Sequence, residues 1–72
     1  MKLIYYNNVN DDEELTIVTV IKASCRNNAL VCTLADNSQI SISMPKASVI
    51  DAFYELWKNN YFDARSCVIE IL

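Results

Sequence analysis

Glycine is missing from this 72-residue chain, and so is histidine. Without glycine, the chain cannot form the glycine-rich loops that hold phosphates in P-loop and dinucleotide-binding proteins. Without histidine, a serine or cysteine nucleophile lacks its usual general base, and zinc lacks one of its common ligands. We therefore expect a protein without enzymatic activity, bound metal or cofactor.

Basic residues are scarce and dispersed. Six Lys and Arg stand against nine Asp and Glu, for a formal charge of −3 at pH 7. Binding to nucleic acid needs clustered basic side chains, because the release of counterions from phosphates supplies much of the affinity. Here the basic residues stand at positions 2, 22, 26, 46, 58 and 65. The composition therefore makes nucleic acid an unlikely partner and argues against an anionic membrane surface.

Long apolar runs are absent too. A membrane-spanning helix needs about 20 consecutive apolar residues, and the four-residue apolar run near the start of the chain is too short for the core of a signal peptide. The three cysteines cannot form a closed disulfide framework. We expect reduced thiols and a cytoplasmic location.

What the chain has in quantity is apolar, β-branched side chains. Hydrophobic residues make up 53% of the sequence, and the eight isoleucines favour strands. Residues 1–72 are predicted to form a single small α+β domain. Four segments are typical of strands: residues 2–6, 15–24, 29–35 and 39–44. We interpret the acidic segment at residues 8–15 as a solvated connection, and we expect the four strands to form an antiparallel meander.

Asparagine doublets punctuate the chain where glycine would usually stand. A two-residue hairpin turn of type I′ needs positive φ at both central residues, and asparagine tolerates this better than other residues except glycine. We predict that Asn27-Asn28 closes one hairpin and that Asp36-Asn37 closes the next. The first turn then pairs Cys25 with Leu30 and Ala23 with Cys32, so no Cys25–Cys32 disulfide is expected.

After Pro45 the apolar residues change to a helical period. Residues 45–59 are predicted to form an amphipathic helix packed on one face of the sheet, presenting Ile50, Phe53 and Trp57 to it. The helix starts either with Pro45 in its first turn or at Ser48 with Asp51 as a capping box; we favour the first. Asn59-Asn60 suits the C-terminal end. Residues 66–72 are predicted to form a last strand.

The cysteines and the acidic run are weak candidates for chemistry. Cys32 and Cys67 lie within apolar runs, and we predict that both are small buried side chains. The acidic run Asp11-Asp12-Glu13-Glu14 lacks the alternate spacing and the glycine of a calcium loop. It is either a solvated loop or a negative patch for a basic partner surface.

Aromatic residues offer contact surface. Consecutive residues in a strand face opposite sides, so one of Tyr5 and Tyr6 must face away from the core, and Tyr61-Phe62 is expected to divide in the same way. Exposed tyrosines suit protein contacts. They also suit stacking on the bases of single-stranded nucleic acid, although that mode normally needs a positive groove.

These observations favour a non-enzymatic protein-binding module: a small inhibitor or regulator that occupies a basic surface of a larger protein, such as a nucleic-acid-binding one. Small regulators from viruses and mobile elements often have this character. The predicted partner-binding residues are Tyr6, Asp11, Asp12, Glu13, Glu14, Asp51, Glu55 and Tyr61. The alternatives are a sheet that binds single-stranded nucleic acid through exposed aromatics, and a dimerising subunit of a larger assembly, for example a homodimer formed through an edge strand.

Overall fold

The computed structural model describes the backbone of residues 1–72 and every side chain except that of Val9. Among these residues it has six strands and one helix. In chain order these are β1 (Lys2–Val9), β2 (Asp12–Arg26), β3 (Ala29–Leu34), β4 (Gln39–Ser43), α1 (Lys46–Asn59), β5 (Tyr61–Asp63) and β6 (Val68–Ile71). The predicted α+β class is confirmed, with one helix packed on a mostly antiparallel sheet.

The six strands form one sheet in the order β5-β1-β2-β3-β4-β6. Strands β1 to β4 form the predicted antiparallel meander, and β6 pairs antiparallel with β4. Strand β5 pairs parallel to β1. It was not predicted, because three residues after a helix are too few to show a strand pattern. Both β5 and β6 lie at edges of the sheet.

Strand β2 is the longest element, with 15 residues. Its first half pairs with β1 and its second half with β3, and the register shifts between Val20 and Lys22. The shift leaves Ile21 without a partner in the β2–β3 register. A bulge of this kind bends a strand and increases its twist. Both halves of the sheet therefore curve around one core on the inner face, which is the face that α1 covers.

The inner face is built from alternate strand residues. Leu3, Leu30, Cys32, Ile40 and Ile42 are all buried there, and buried and more exposed residues alternate clearly along β4. From the helix, Val49, Ala52 and Leu56 complete the core. Because Ala52 has a small side chain, the helix backbone can approach the sheet closely.

The predicted contact face of α1 is wrong in part. Phe53 is half-buried and packs against the core, but Ile50 and Trp57 are 50% and 57% exposed. The apolar residues of α1 cover a wide arc of the helix, and the sheet covers only the side that carries Val49, Ala52 and Leu56. Helical periodicity shows how wide the arc is, but it does not show which side of the arc meets the sheet.

Both ends of α1 lie near the predicted positions. Pro45 is the N-terminal flanking residue, and its carbonyl accepts hydrogen bonds from the N–H groups of Ser48 and Val49 at 2.8 and 3.1 Å. The helix therefore starts near the earlier of the two predicted positions, although Pro45, with ψ 147°, lies just before the first turn and not in it. Asn60 has φ 63° and ψ 14°, the left-handed conformation that ends many helices.

The hairpin at Asn27-Asn28 has the predicted register but not the predicted backbone conformation. Arg26 pairs with Ala29, Cys25 with Leu30 and Ala23 with Cys32. However, the non-glycine residues with positive φ are Asn10, Asp11, Asn37 and Asn60, so neither Asn27 nor Asn28 is left-handed. Asparagine lowers the cost of positive φ without requiring it, which is why a doublet predicts the place of a turn better than its type.

The two-residue turn with positive φ at both positions lies at Asn10-Asp11, between Val9 and Asp12. The interpretation of residues 8–15 as a connection is therefore wrong: apart from this turn, they belong to β1 and β2. Acidic residues have low β-propensity, but residues at the tip of an exposed hairpin do not have to pack against the core. Here Asn7 pairs with Glu14, and Asn8 pairs with Glu13.

The β3–β4 turn lies at the predicted place. Leu34 donates its N–H to the Ser38 carbonyl at 2.8 Å, and Asn37 donates its N–H to the Leu34 carbonyl at 2.9 Å. The Asp36 carboxylate accepts hydrogen bonds from both the backbone N–H and the hydroxyl of Ser38. Asn37 is left-handed, with φ 70°, but Asp36 is not, so the predicted positive φ at both turn residues is wrong here too. At the last strand, by contrast, the predicted range of 66–72 shortens to Val68–Ile71.

Replacing Asn60 tests the cost of left-handed backbone in a chain without glycine. We expect Asn60→Ala to lower the free energy of unfolding by about 1 kcal/mol, because alanine lacks asparagine's tolerance of positive φ. Asn60→Gly should leave the free energy of unfolding unchanged or raise it. The matched control is Asn27→Ala in a turn with negative φ, with an expected loss below about 0.5 kcal/mol. Urea denaturation measures all three, and equal losses for Asn60→Ala and Asn27→Ala would contradict the backbone assignment.

Candidate functional site

Strands β1 and β2 carry an apolar patch on the outer face of the sheet, away from the helix. Leu3 and Tyr5 are buried on the inner face, so strand alternation places Ile4 and Tyr6 on the outer one. This confirms that one of the two adjacent tyrosines faces away from the core. Ile4 lies opposite Ile17, and Tyr6 lies opposite Leu15. These four residues (Ile4, Tyr6, Leu15 and Ile17) are called the sheet patch below.

The sheet patch is open to solvent. Ile17 is 60% and Leu15 is 53% exposed, whereas Tyr6 is 41% exposed. A pair of apolar side chains facing each other across two strands stabilises a hairpin even in water. Adjacent pairs on the outer face also make a continuous apolar surface of the kind that marks contact sites on small proteins.

The tip of the β1–β2 hairpin carries the acidic residues Asp11, Asp12, Glu13 and Glu14, called the acidic tip below. All four are exposed. Glu13 pairs with Asn8, in the row next to the Tyr6–Leu15 pair on the same face. The ion pair found among the described side chains joins Arg65 to Asp63, so the acidic tip is not neutralised from within. Negative charge therefore borders the sheet patch on its Glu13 side.

Asp63, the last residue of β5, and Arg65, two residues after it, lie beside Tyr6. The Asp63 carboxylate accepts two hydrogen bonds from Arg65 Nε, at 2.9 and 3.1 Å, and one from Nη2, at 2.7 Å. These hydrogen bonds lower the pKa of Asp63 and raise that of Arg65. The pair engages one of the six basic side chains, which reduces the positive charge available near Tyr6 and Tyr61.

Two hollows adjoin next to the sheet patch. The first, of about 390 Å³, separates β1 from β6 and is lined by Tyr6, Asn8 and Glu13 on one side and by Arg65 and Cys67–Ile69 on the other. The second, of about 320 Å³, lies between α1 and the turn after β5, and Asp51, Glu55, Phe62 and Cys67 are among its lining residues. Cys67 lines both, with Glu13 of the hairpin at the first hollow and Asp51 and Glu55 of the helix at the second.

The predicted partner-binding residues divide among the β1–β2 hairpin, the helix and strand β5. Tyr6 and Glu13 share a hollow, and Asp51 and Glu55 border the adjoining one. Tyr61 is exposed while Phe62 is buried, as predicted, and Tyr61 lies on the outer face beside Lys2. The sequence reasoning missed Ile4, Leu15 and Ile17. The available signal was that residues 15–24 are apolar on both faces.

Helix α1 presents a second exposed apolar surface. Ile50, Tyr54 and Trp57 follow one another at spacings of four and three residues, and all are at least half exposed. Phe53 lies between this row and the core, and its ring is 6.2 Å from those of both Tyr54 and Trp57, in edge-to-face geometry. The row Ile50, Tyr54 and Trp57 is called the helix stripe below. The sequence had led us to expect Ile50 and Trp57 on the face that contacts the sheet.

The three cysteines have distinct surroundings and no disulfide links them. Cys32 is fully buried between β2 and β4, and burial raises the pKa of its thiol to about 11. Cys67 is half-buried, and its pKa is raised by burial and by the nearby charge of Asp63. Cys25 is exposed near the end of β2. Raised pKa values leave little thiolate at neutral pH, which is the reactive form.

Comparison of the chain with protein-family models, with curated proteins and with solved structures finds no match. No helix among the described residues is long and apolar enough to cross a membrane. In the same described part of the chain, no group of three or more Cys, Asp or Glu side chains is arranged to hold a metal ion.

Thiol labelling tests the arrangement of the cysteines. At neutral pH under native conditions, we expect a maleimide reagent to modify Cys25 rapidly, Cys67 more slowly and Cys32 only after unfolding, because solvent access falls in that order and burial raises the pKa values of the Cys67 and Cys32 thiols. Peptide mass spectrometry after timed labelling identifies each site, and labelling in urea provides the control in which all three react. Fast native labelling of Cys32 would contradict its place in the core.

Proposed function

We propose that this protein is a non-enzymatic, cytoplasmic binding module for another protein, and that the β1–β2 hairpin is its contact element. The observation that carries the proposal is the exposed sheet patch, lying on the opposite side of the sheet from the core and directly beside the acidic tip. Apolar side chains in the centre of an interface with charged residues at its rim is the usual anatomy of protein–protein contacts.

The charges indicate the chemistry of the partner. The acidic tip adds four negative side chains to one end of the hairpin, without an internal basic partner among the described residues. A partner with a basic rim around an apolar centre would neutralise the tip and cover Leu15 and Ile17. Electrostatic attraction of this kind speeds association and favours one partner over others more than it adds affinity.

A basic surface is characteristic of proteins that bind nucleic acid. A module that covers such a surface would act as an inhibitor or regulator, with the carboxylates of the acidic tip occupying the places of phosphates. Asp51 and Glu55 extend the same negative side, because they border the hollow that adjoins that of Glu13.

Single-stranded nucleic acid is the second candidate ligand, since Tyr6 and Tyr61 are both exposed on the outer face. The charges oppose it. Lys2 lies beside Tyr61, but Arg65 is held by Asp63 and the acidic tip lies at the far end of the same face. Stacking on aromatics is normally combined with a positive groove that follows the backbone.

Affinity capture with paired variants tests the proposed contact element. Wild-type protein should retain a specific partner protein from an extract, and Ile17→Asp should weaken that binding by about thirtyfold or more, the loss typical of a central contact residue. Thr19→Asp is the matched control, because it adds the same charge to the same face of β2, two residues away, outside the sheet patch. It should retain the partner, with affinity measured by titration of the purified pair.

Two results would overturn the proposal. The first is a captured partner whose affinity is unchanged by Ile17→Asp. The second is tight binding of the free protein to single-stranded oligonucleotides, with an affinity that falls steeply as the salt concentration rises. That result would favour the hypothesis that the protein binds nucleic acid. Glu13→Gln refines the test, because loss of a rim charge should reduce the association rate and its salt dependence more than the affinity.

A further inference from the structure

We propose that two copies of this chain form a two-fold symmetric dimer through antiparallel contact of their α1 helices, with the helix stripe of each copy covered by the other. This interface lies on the helix side of the sheet and is separate from the sheet patch and the acidic tip. A dimer would leave both hairpins free for the partner inferred above, and it would engage Asp51 between the copies, so that Glu55 is the helix residue left for that partner.

The helix stripe exposes a large apolar surface to solvent. Ile50 is 50%, Tyr54 68% and Trp57 57% exposed, and Tyr and Trp are the residues with the largest apolar areas to bury. A protein of this size rarely leaves a row of three large side chains in water without a contact function. The spacing of four and three residues is the one that an antiparallel helix can cover along its length.

The order of residues around Tyr54 fits a two-fold axis. Ile50 and Trp57 stand four residues before and three residues after Tyr54. Within one helix, Ile50 and Trp57 are about 10 Å apart along the axis. A two-fold axis that passes beside Tyr54, perpendicular to both helices, therefore brings Trp57 of each copy level with Ile50 of the other copy. Such an interface is self-complementary and closes at two copies.

The charges that border the stripe are also reciprocal. Asp51 and Lys58 are the neighbours of Tyr54 at three residues before and four residues after it, so both lie on the same border of the stripe. Both are exposed, and neither has an ion-pair partner among the described side chains. The same axis brings Asp51 of one copy beside Lys58 of the other, twice in the dimer. Opposite charges therefore meet at both ends of this border.

The site that receives Trp57 is visible next to Ile50. An open hollow of about 400 Å³ is lined by Ile50 and Val49, by Lys46 of the first helical turn, and by Cys25-Arg26-Asn27 of the β2–β3 hairpin. An indole ring entering this hollow from the second copy would contact Ile50 and lie against two basic side chains. Cations over the face of a tryptophan ring attract it electrostatically.

Strand β6 offers a different dimer, the edge-strand homodimer that was one of the alternatives from the sequence. The N–H of Leu72 donates to the carbonyl oxygen of Gln39 in β4. Because successive residues of a strand direct their N–H and C=O groups to opposite sides, those of Ile69 and Ile71 point away from β4, towards the open edge. Pairing Ile69 with Ile71 of a second copy places the two Glu70 carboxylates directly opposite each other. Like charges at that position oppose pairing, whereas the charges along α1 favour it.

Charge-reversal variants show which surface forms the dimer, whereas sedimentation of the wild type shows only that a dimer exists. In analytical ultracentrifugation of the reduced full chain, wild type should show a reversible monomer–dimer equilibrium. Asp51→Lys and Lys58→Asp should each weaken the dimer at least tenfold, because each sets two pairs of like charges against each other. The double variant Asp51→Lys/Lys58→Asp should dimerise like wild type. An equimolar mixture of the two single variants should form a mixed dimer. Circular dichroism checks that each variant keeps its fold.

Glu70→Lys is the control for the other interface. It should leave the helical dimer unchanged. A dimer that responds to Glu70→Lys but not to Asp51→Lys would show that β6 forms the contact and would overturn the proposal. So would a chain that stays monomeric at every concentration tested. A dimer weakened by both single variants but not restored in the double variant would overturn the reciprocal Asp51–Lys58 contact.

Discussion

Helix α1 has a wider apolar arc than the curved sheet covers, and this mismatch shapes the rest of the molecule. The sheet receives Val49, Ala52 and Leu56, and the small side chain of Ala52 sets how closely the helix approaches. Turning the helix to bury Ile50 and Trp57 would expose Val49 and Leu56, both now buried, and would bring the large indole of Trp57 to the place that Leu56 now occupies. The core is therefore closed by aliphatic side chains, and the aromatic ones remain outside it.

The outer face of the sheet repeats this situation on the other side of the molecule. The core of so small a chain has room for only one face of each strand, yet β1 and β2 carry apolar side chains on both. The surplus becomes the sheet patch, next to the acidic tip. Two apolar surfaces therefore lie on opposite sides of a small acidic protein, and each is used by one of the two contacts proposed above.

The sequence predicted the parts of the fold that depend on local patterns. Pro45 and Asn60 mark the ends of α1, and Asn27-Asn28 and Asp36-Asn37 mark two turns, because these residues have strong conformational preferences of their own. The register of Cys25 and Cys32 followed from the first turn. The acidic tip was wrongly predicted to be a loop. The end of an exposed hairpin does not pack against the core, so its strands can consist of charged residues, and such a sequence looks the same as that of a solvated loop. Strand β5 depends on pairing with β1, which no local pattern shows.

For the candidate site, the sequence predicted the exposed tyrosines and the acidic residues but not the surfaces to which they belong. Tyr6 and Tyr61 were expected at the surface, since adjacent aromatics in a strand divide between its faces. Ile17 and Trp57 were missed because hydrophobicity indicates burial on average, and only the packed structure shows which apolar residues exceed the capacity of the core.

The exposure of Trp57 is the most direct test of this account, because the chain has one tryptophan and its fluorescence reports one position. In dilute solution of the folded protein, acrylamide should quench Trp57 nearly as efficiently as it does in the urea-unfolded chain, and the emission maximum should shift little on unfolding. Strong protection from acrylamide in the folded monomer, with a large red shift on unfolding, would place the indole in the core and contradict the orientation of α1.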